Sequence, residues 1–418
     1  MPDSILIKNA AQVVVTHDPG RPLTGEKLGI VETVENASIL ITGGRIVEIS
    51  SSPAVPQGAR VLDATGMTVM PGIVDSHTHI VYGGSRYEEF YLRAQGKSYL
   101  EIMKSGNGIN RTVRDTEKMS PDLILKGTLE RVRDAVSTGT TTLEMKTGYT
   151  STLAGEAKML DVMDSIGKTG MVNVVPTFLG MHSIPPGTPE DAFVDYMINT
   201  VASRLKGRFS FTDAFCDSGA YSPGSCRKLA QWSRINGVPM KLHADELQDI
   251  GCLDLCNDYR FRSVDHLLQT GDDGMEKIRK CGSMANFLPI TGFSLDKGRY
   301  PDIRKFIDAG IPVSLSSDIS PLSVNSNVLF AMYLAIRFTG LSAEECLNAV
   351  TINGSYSAGV SEDRGSIEVG KSADLAILSV DNYREIPYRY SAGIVHTVIN
   401  GGKIVYGRIN AGNGAAYQ

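Results

Sequence analysis

The sequence predicts an α/β protein, a (β/α)8 TIM-type barrel carrying a small β-sandwich domain assembled from the N- and C-terminal segments. That class follows from eight short apolar runs that alternate with helix-period segments in the middle of the chain, from strand-rich ends, and from metal-ligand side chains that recur where the middle runs stop. With 418 residues, 42% hydrophobic and 21% charged, the chain has enough apolar material for one large domain and a smaller companion.

Residues 5–7, 12–16, 38–42, 45–49 and 59–63 read as short strands separated by Gly turns, an antiparallel rather than a strand-helix pattern. The same texture returns at 373–378 and 395–405, where Ile399-Asn-Gly-Gly-Lys-Ile-Val405 echoes Ile41-Thr-Gly-Gly-Arg-Ile-Val47. Two Gly-Gly hairpins therefore stand at opposite ends of the sequence. Residues 1–66 and 364–418 are expected to join as the small β-sandwich domain, with 67–363 inserted between them as the barrel.

The expected barrel strands are 69–74, 141–146, 172–178, 209–215, 240–243, 263–266, 283–288 and 313–317. Between them, 121–137, 153–166, 225–236 and 301–309 place apolar residues at helical spacing, often starting after Ser, Pro or Asp. The stretch 81–118 is too long for an ordinary connection and is expected at the mouth of the barrel.

The formal net charge is −5 with no Lys/Arg-rich tract, which argues against nucleic acid as a partner. No leader pattern is evident and no stretch approaches the roughly 18 uninterrupted apolar residues of a membrane span, so a cytoplasmic protein with no membrane partner is expected. The six cysteines show no CxxC pair and are read as reduced thiols; Cys252 and Cys256, four apart, lack the His or Cys neighbours of a zinc site.

Ligand-type residues fall at the C-terminal ends of the expected strands: His77 and His79 after the first, His182 after the third, His243 at the fifth, His266 at the sixth and Asp318 at the eighth. In barrels that end is the catalytic face. Of seven histidines, only His17 and His396 lie elsewhere. Side chains alternate along a strand, so His77 and His79 project to one side and can grip one ion.

Three imidazoles and a carboxylate, His77, His79, His243 and Asp318, suit one Zn2+ or Fe2+/Fe3+ ion per subunit rather than magnesium or calcium. Such an ion lowers the pKa of a bound water to about 7. Asp318 thereby belongs to the catalytic set. Glu246, three residues after His243, is placed to take the water's proton and deliver it to a leaving nitrogen, although a carboxylate there would also suit a helix N-terminus. His266 would orient the hydroxide and stabilise the oxyanion, the plain alternative being a hydrogen-bonded core histidine. Asp245 is read as an orienting partner.

This ordered set, beginning Pro71-Gly-Ile-Val-Asp75-Ser-His-Thr-His79, resembles the amidohydrolase superfamily. Within it the chain is similar to the imidazolonepropionase family through Gly83-Gly-Ser-Arg86, Ser98-Tyr-Leu-Glu-Ile102, Lys146-Thr-Gly-Tyr149, Pro176-Thr-Phe-Leu-Gly180 with His182, and Lys241-Leu-His-Ala-Asp-Glu246. The resemblance implies hydrolytic opening of 4-imidazolone-5-propanoate to N-formimidoyl-L-glutamate by a homodimer. By motif, Arg86 would bind the substrate carboxylate, Tyr149 and His182 would contact the substrate, and Glu246 would both contact substrate and carry the proton. A guanidinium fork matches a carboxylate on its own chemistry as well, against the alternative of an ion pair at the mouth.

The fourth strand offers Cys216 and Asp217 but no lysine to carboxylate, Lys146 being on the second, so one metal is expected. After the last ligand the family usually has Asp-x-Asn-Pro-Gly and a small hydroxyl residue. Here Ser320 stands for the Asn, Leu322 for the Gly and Ser323 in the hydroxyl place, with Ser320 and Ser323 as the substrate contacts. Two alternatives stay open: a related amidohydrolase or deaminase acting on another small heterocycle, separable by ammonia release, and a binding protein on the same scaffold, separable by metal analysis.

Overall fold

The computed structural model describes residues 4–97, 101–102, 106–295 and 300–407. Ser98, Tyr99 and Leu100 of the Ser-Tyr-Leu-Glu-Ile motif lie outside the described residues. Among the described residues the chain forms two sheets of eight strands.

The first sheet is shared by both ends of the sequence. Its strands run Arg45–Ser50, Thr33–Thr42, Ser4–Val14, Thr68–Pro71, Leu375–Leu378, Val395–Asn400 and Lys403–Gly407, with Arg60–Asp63 also paired to Ser4–Val14. The pairing is not wholly antiparallel, as the turn pattern had suggested: Ser4–Val14 takes both Arg60–Asp63 and Thr68–Pro71 in parallel. A bulge between Ile7 and Ala10 divides the strand, so that Ile5 to Lys8 meet one partner and Gln12 and Val13 the other. Alternate residues such as Ile5, Ile7, Ile39, Ile41, Leu375 and Ile377 face a separate apolar core. The two Gly-Gly turns meet there: a Cβ on Gly402 would lie 2.5 Å from Gly44 Cα, so the echoed hairpins pack backbone against backbone where no side chain fits.

The second sheet is the barrel, eight parallel strands in chain order: Ile73–Thr78, Thr140–Lys146, Asn173–Met181, Phe211–Cys216, Leu242–Ala244, Ser263–His266, Met284–Phe287 and Val313–Leu315. The eighth returns to the first through His79 N–H donating to Ile319 O (2.9 Å) and Asp318 N–H to His77 O (3.2 Å). The expected first strand, 69–74, is divided between the sheets. Gly72 makes the switch, because a Cβ there would lie 2.2 Å from Thr141 Oγ1.

Local signals account for the helices. Pro121–Ser137 begins with Pro in its first turn, Leu153–Lys168 starts where the Thr152 hydroxyl accepts from Gly155 N–H, and Pro223–Asn236 starts at Ser222 and stops at Gly237 (φ 66°). The stretch 81–118 supplies Tyr87–Ala94 and Ile109–Lys118 beside the barrel mouth. No described helix is long and apolar enough to cross a membrane.

One expectation about the cysteines is corrected. Cys216 and Cys252 form a disulfide, whereas all six had been read as thiols. They are 36 residues apart, but the barrel sets the end of the fourth strand beside the turn after the fifth, with the two Cα atoms 6.0 Å apart. Cys226, Cys256, Cys281 and Cys346 remain thiols.

Candidate active site

Alternation along Ile73–Thr78 carries His77 to the inner face, and His79 follows two residues on. Their Nε2 atoms are 3.3 Å apart, His79 Nε2 is 3.2 Å from His243 Nε2, and Asp318 Oδ1 is 3.5 and 3.4 Å from the first two. An ion with bonds of about 2.0–2.1 Å in tetrahedral array needs donors about 3.3–3.4 Å apart, close to the spacing of these four contacts, and the His77, His79 and His243 nitrogens together form a group able to hold a metal ion. Burial holds the His77 and His79 imidazoles well below their ordinary pKa, leaving them neutral. The Asp318 carboxyl, pushed up to about 6 by burial, accepts a hydrogen bond from the Thr291 hydroxyl.

The outward nitrogens of His77 and His243 are held by carboxylates that the sequence did not disclose. His77 Nδ1 lies 2.5 Å from Asp265 Oδ2 and His243 Nδ1 lies 3.1 Å from Asp213 Oδ1. Beneath them, Lys146 Nζ bonds Asp213 Oδ2 and Glu144 Oε1, each at 2.8 Å, and Lys241 Nζ donates to Ser76 O. All five charged side chains are fully buried. Burial alone would raise Asp213, but its contacts with His243 and Lys146 hold it below the usual carboxylate range. The available signal was a charged residue inside a short apolar strand, Asp213 in Phe-Thr-Asp-Ala-Phe and Asp265 in Ser-Val-Asp-His.

Above these side chains lies a cavity open to the barrel mouth. Arg86, Tyr149, His182, Glu246, His266 and Ser320 supply its polar wall, and Ile109, Phe215, Leu247, Leu295 and Leu322 its apolar wall. The His182 ring stacks on His79 with centroids 4.7 Å apart, and Tyr149 lies 5.1 Å from His182. Glu246 Oε2 is 3.7 Å from His266 Nε2. Burial drives His182 down to about 3, keeps His266 neutral and pushes the Glu246 carboxyl well above its ordinary range. Asp245, His266, Leu267 and Asp318 all have positive φ, a conformation costly to side-chain-bearing residues and concentrated at this rim. Asp245 is not among the cavity's lining residues, and its carboxylate accepts from the Thr270 hydroxyl at 2.7 Å.

Arg86 is buried, not a surface ion pair. Its Nε and Nη2 donate to Glu89 Oε2 at 2.9 and 2.7 Å, while Glu89 Oε1 accepts Gly108 N–H at 2.8 Å. Ser323 is the one expected contact that does not line the cavity. Ser320 and Ser323 exchange backbone hydrogen bonds, both 3.1 Å, and this tight turn directs the Ser323 hydroxyl to Ser294 Oγ.

A family model described as "Amidohydrolase family" matches residues 103–406. The chain is 45% identical over 386 residues to imidazolonepropionase of Thermoplasma acidophilum, covering 92% of this chain and 93% of that protein. It is 40% identical to imidazolonepropionase of Picrophilus torridus, covering 96% and 98%, and 35% identical to that of Geobacillus kaustophilus, covering 96% and 97%. Among solved structures, a zinc complex of atrazine chlorohydrolase from Arthrobacter aurescens superposes with TM-score 0.73 at 19% identity, covering 96% and 94%. Guanine deaminase from C. acetobutylicum with bound guanine superposes with TM-score 0.71 at 15% identity, covering 97% and 100%; both likenesses show the fold. The chain belongs to the amidohydrolase family and, within it, to the imidazolonepropionases.

Proposed function

We propose that this enzyme adds water across the ring amide of 4-imidazolone-5-propanoate, giving N-formimidoyl-L-glutamate in histidine degradation. The observation that carries it is one cavity lined both by the ligand cluster and by a buried guanidinium, the complement of a heterocycle bearing a carboxylate.

One zinc or iron ion per chain, held by His77, His79, His243 and Asp318, would supply a water acidic enough to attack at neutral pH. Glu246 takes the attacking water's proton on its carboxylate and returns it to the ring nitrogen as the C–N bond breaks, a role supported by its place on the cavity wall. His266 Nε2–H donates to the carbonyl oxygen as that atom gains charge. Arg86 holds the propionate carboxylate, with Glu89 fixing the guanidinium's plane. Tyr149 and His182 flank the ring, the Ser320 hydroxyl contacts its edge, and Leu295 and Leu322 keep bulk water out.

The test is turnover of 4-imidazolone-5-propanoate by metal-loaded protein. Arg86→Ala is expected to raise KM about 10- to 100-fold, the loss of a charge-assisted bond worth about 1.5–3 kcal/mol. Full metal occupancy without ring opening overturns the assignment. Ser320 and Leu322 in the wall favour, as second reading, a related hydrolase or deaminase of another small heterocycle, which ammonia release from a heterocycle panel would reveal. We also propose a cytoplasmic homodimer. Its support is the exposed aromatic set Phe90, Tyr91 and Phe293 beside the mouth, and light scattering with cell fractionation tests it.

A further inference from the structure

Glu246 sits on the loop that leaves the fifth barrel strand, and the aim of its carboxyl depends on the backbone beneath it. That backbone is held from the neighbouring strand. Asp217, the first residue after Phe211–Cys216, is 2% exposed. Its Oδ2 accepts the N–H groups of Glu246 and Leu247, both at 2.8 Å, and its Oδ1 accepts Gln248 N–H at 3.0 Å. Three consecutive amides thus converge on one carboxylate, a strong and directional arrangement for an anion. The far end of the same loop is tied to the residue just before it, through the Cys216–Cys252 disulfide. A sharp backbone turn at Asp245 (φ 55°) completes the geometry.

We propose that Asp217 is a positioning residue for proton transfer: it clamps the Glu246 loop to the end of the fourth strand so that the Glu246 carboxyl stays beside His266. The inference rests on the proton-transfer role given to Glu246 above. A clamp whose only purpose was stability would serve equally well anywhere along the loop, whereas these bonds fall on Glu246 itself and the two residues after it. Asparagine in this place would keep the size but turn an amide N–H toward donors, breaking the convergence.

The test compares Asp217→Asn, Asp217→Glu and Glu246→Gln in the metal-loaded enzyme, reading kcat, KM and bound metal. Asp217→Asn is expected to lower kcat about 10²-fold, KM staying within about threefold and metal content unchanged. Asp217→Glu, which keeps the acceptor pair, is expected to recover about tenfold of that loss. If Asp217→Asn does not fold, Asp217→Glu decides: a kcat about tenfold below the parent's at constant KM and metal supports the clamp, and a kcat equal to the parent's overturns it. A folded Asp217→Asn with kcat within about threefold of the parent, or one losing metal in proportion to kcat, also overturns it. Glu246→Gln separates the two levels. Loss of turnover in that variant beside an active Asp217→Asn sinks only the clamp, while an active Glu246→Gln removes the proton-transfer role on which the clamp depends.

Discussion

A carboxyl group shut away from water holds its proton longer, and Glu156 is such a group. It is fully buried, its Oε1 accepting Gly148 N–H at 3.2 Å and the Thr150 hydroxyl at 2.6 Å, and burial pushes it up to about 7. Between its unfolded value near 4.5 and that folded value, the native state keeps a proton that the unfolded chain has lost. Its contribution to stability is therefore greatest below about pH 4.5 and declines as pH rises through 7, by at most about 3 kcal/mol. Glu156→Gln has no proton to lose, so the parent's stability relative to this variant is expected to fall between pH 5 and 8 in thermal unfolding; a pH-independent difference would contradict the sign. At this scale the sequence was legible where strand alternation dictates direction, as for His77 and His79, or where a stretch matches a family motif, as for Arg86. It was silent on Asp213, Asp265 and Glu156, because a lone acid in a strand or helix does not show which way it points until its neighbours in space are known.

Elements carry the site as much as residues do. The second strand ends in Lys146-Thr-Gly-Tyr149, and Gly148 (φ 101°) is where it meets the third. A Cβ there would lie 2.3 Å from Leu179 O and 2.8 Å from His182 Cβ. Gly148→Ala is expected to part these strand ends, displacing Tyr149 and His182 together, raising KM several-fold and lowering stability by about 1–3 kcal/mol. An unchanged KM would show that the two rings do not bind substrate. Strand positions were readable from apolar runs because fully buried parallel strands leave little else. What the runs could not show is sheet membership: 69–74 is one hydrophobic stretch, yet Gly72 sends its two halves to different sheets. Nor could spacing foresee the Cys216–Cys252 pairing, which depends on how neighbouring strand ends align.

On the scale of the molecule, His77, His79, His243 and Asp318 come from the first, fifth and eighth strand ends, so an ion between them would link opposite sides of the barrel. Stripping metal with a chelator is expected to abolish turnover and to lower the melting temperature. A ligand present at 1,000 times its Kd stabilises by about 4 kcal/mol, and one equivalent of zinc or iron should restore both properties. Unaltered melting after complete removal, or a requirement for two equivalents, would refute a single bridging ion. The joining of the two ends was legible from their echoed hairpins, whose Gly-Gly turns pack against each other in the one sheet.

That shared sheet sets a timetable for a chain made from one end to the other. Thr68–Pro71 is flanked on one side by Ser4–Val14 and on the other by Leu375–Leu378, which leaves the ribosome roughly 300 residues later. At synthesis rates of about 5–20 residues per second, the nascent polypeptide keeps a β edge uncovered for on the order of 15–60 s.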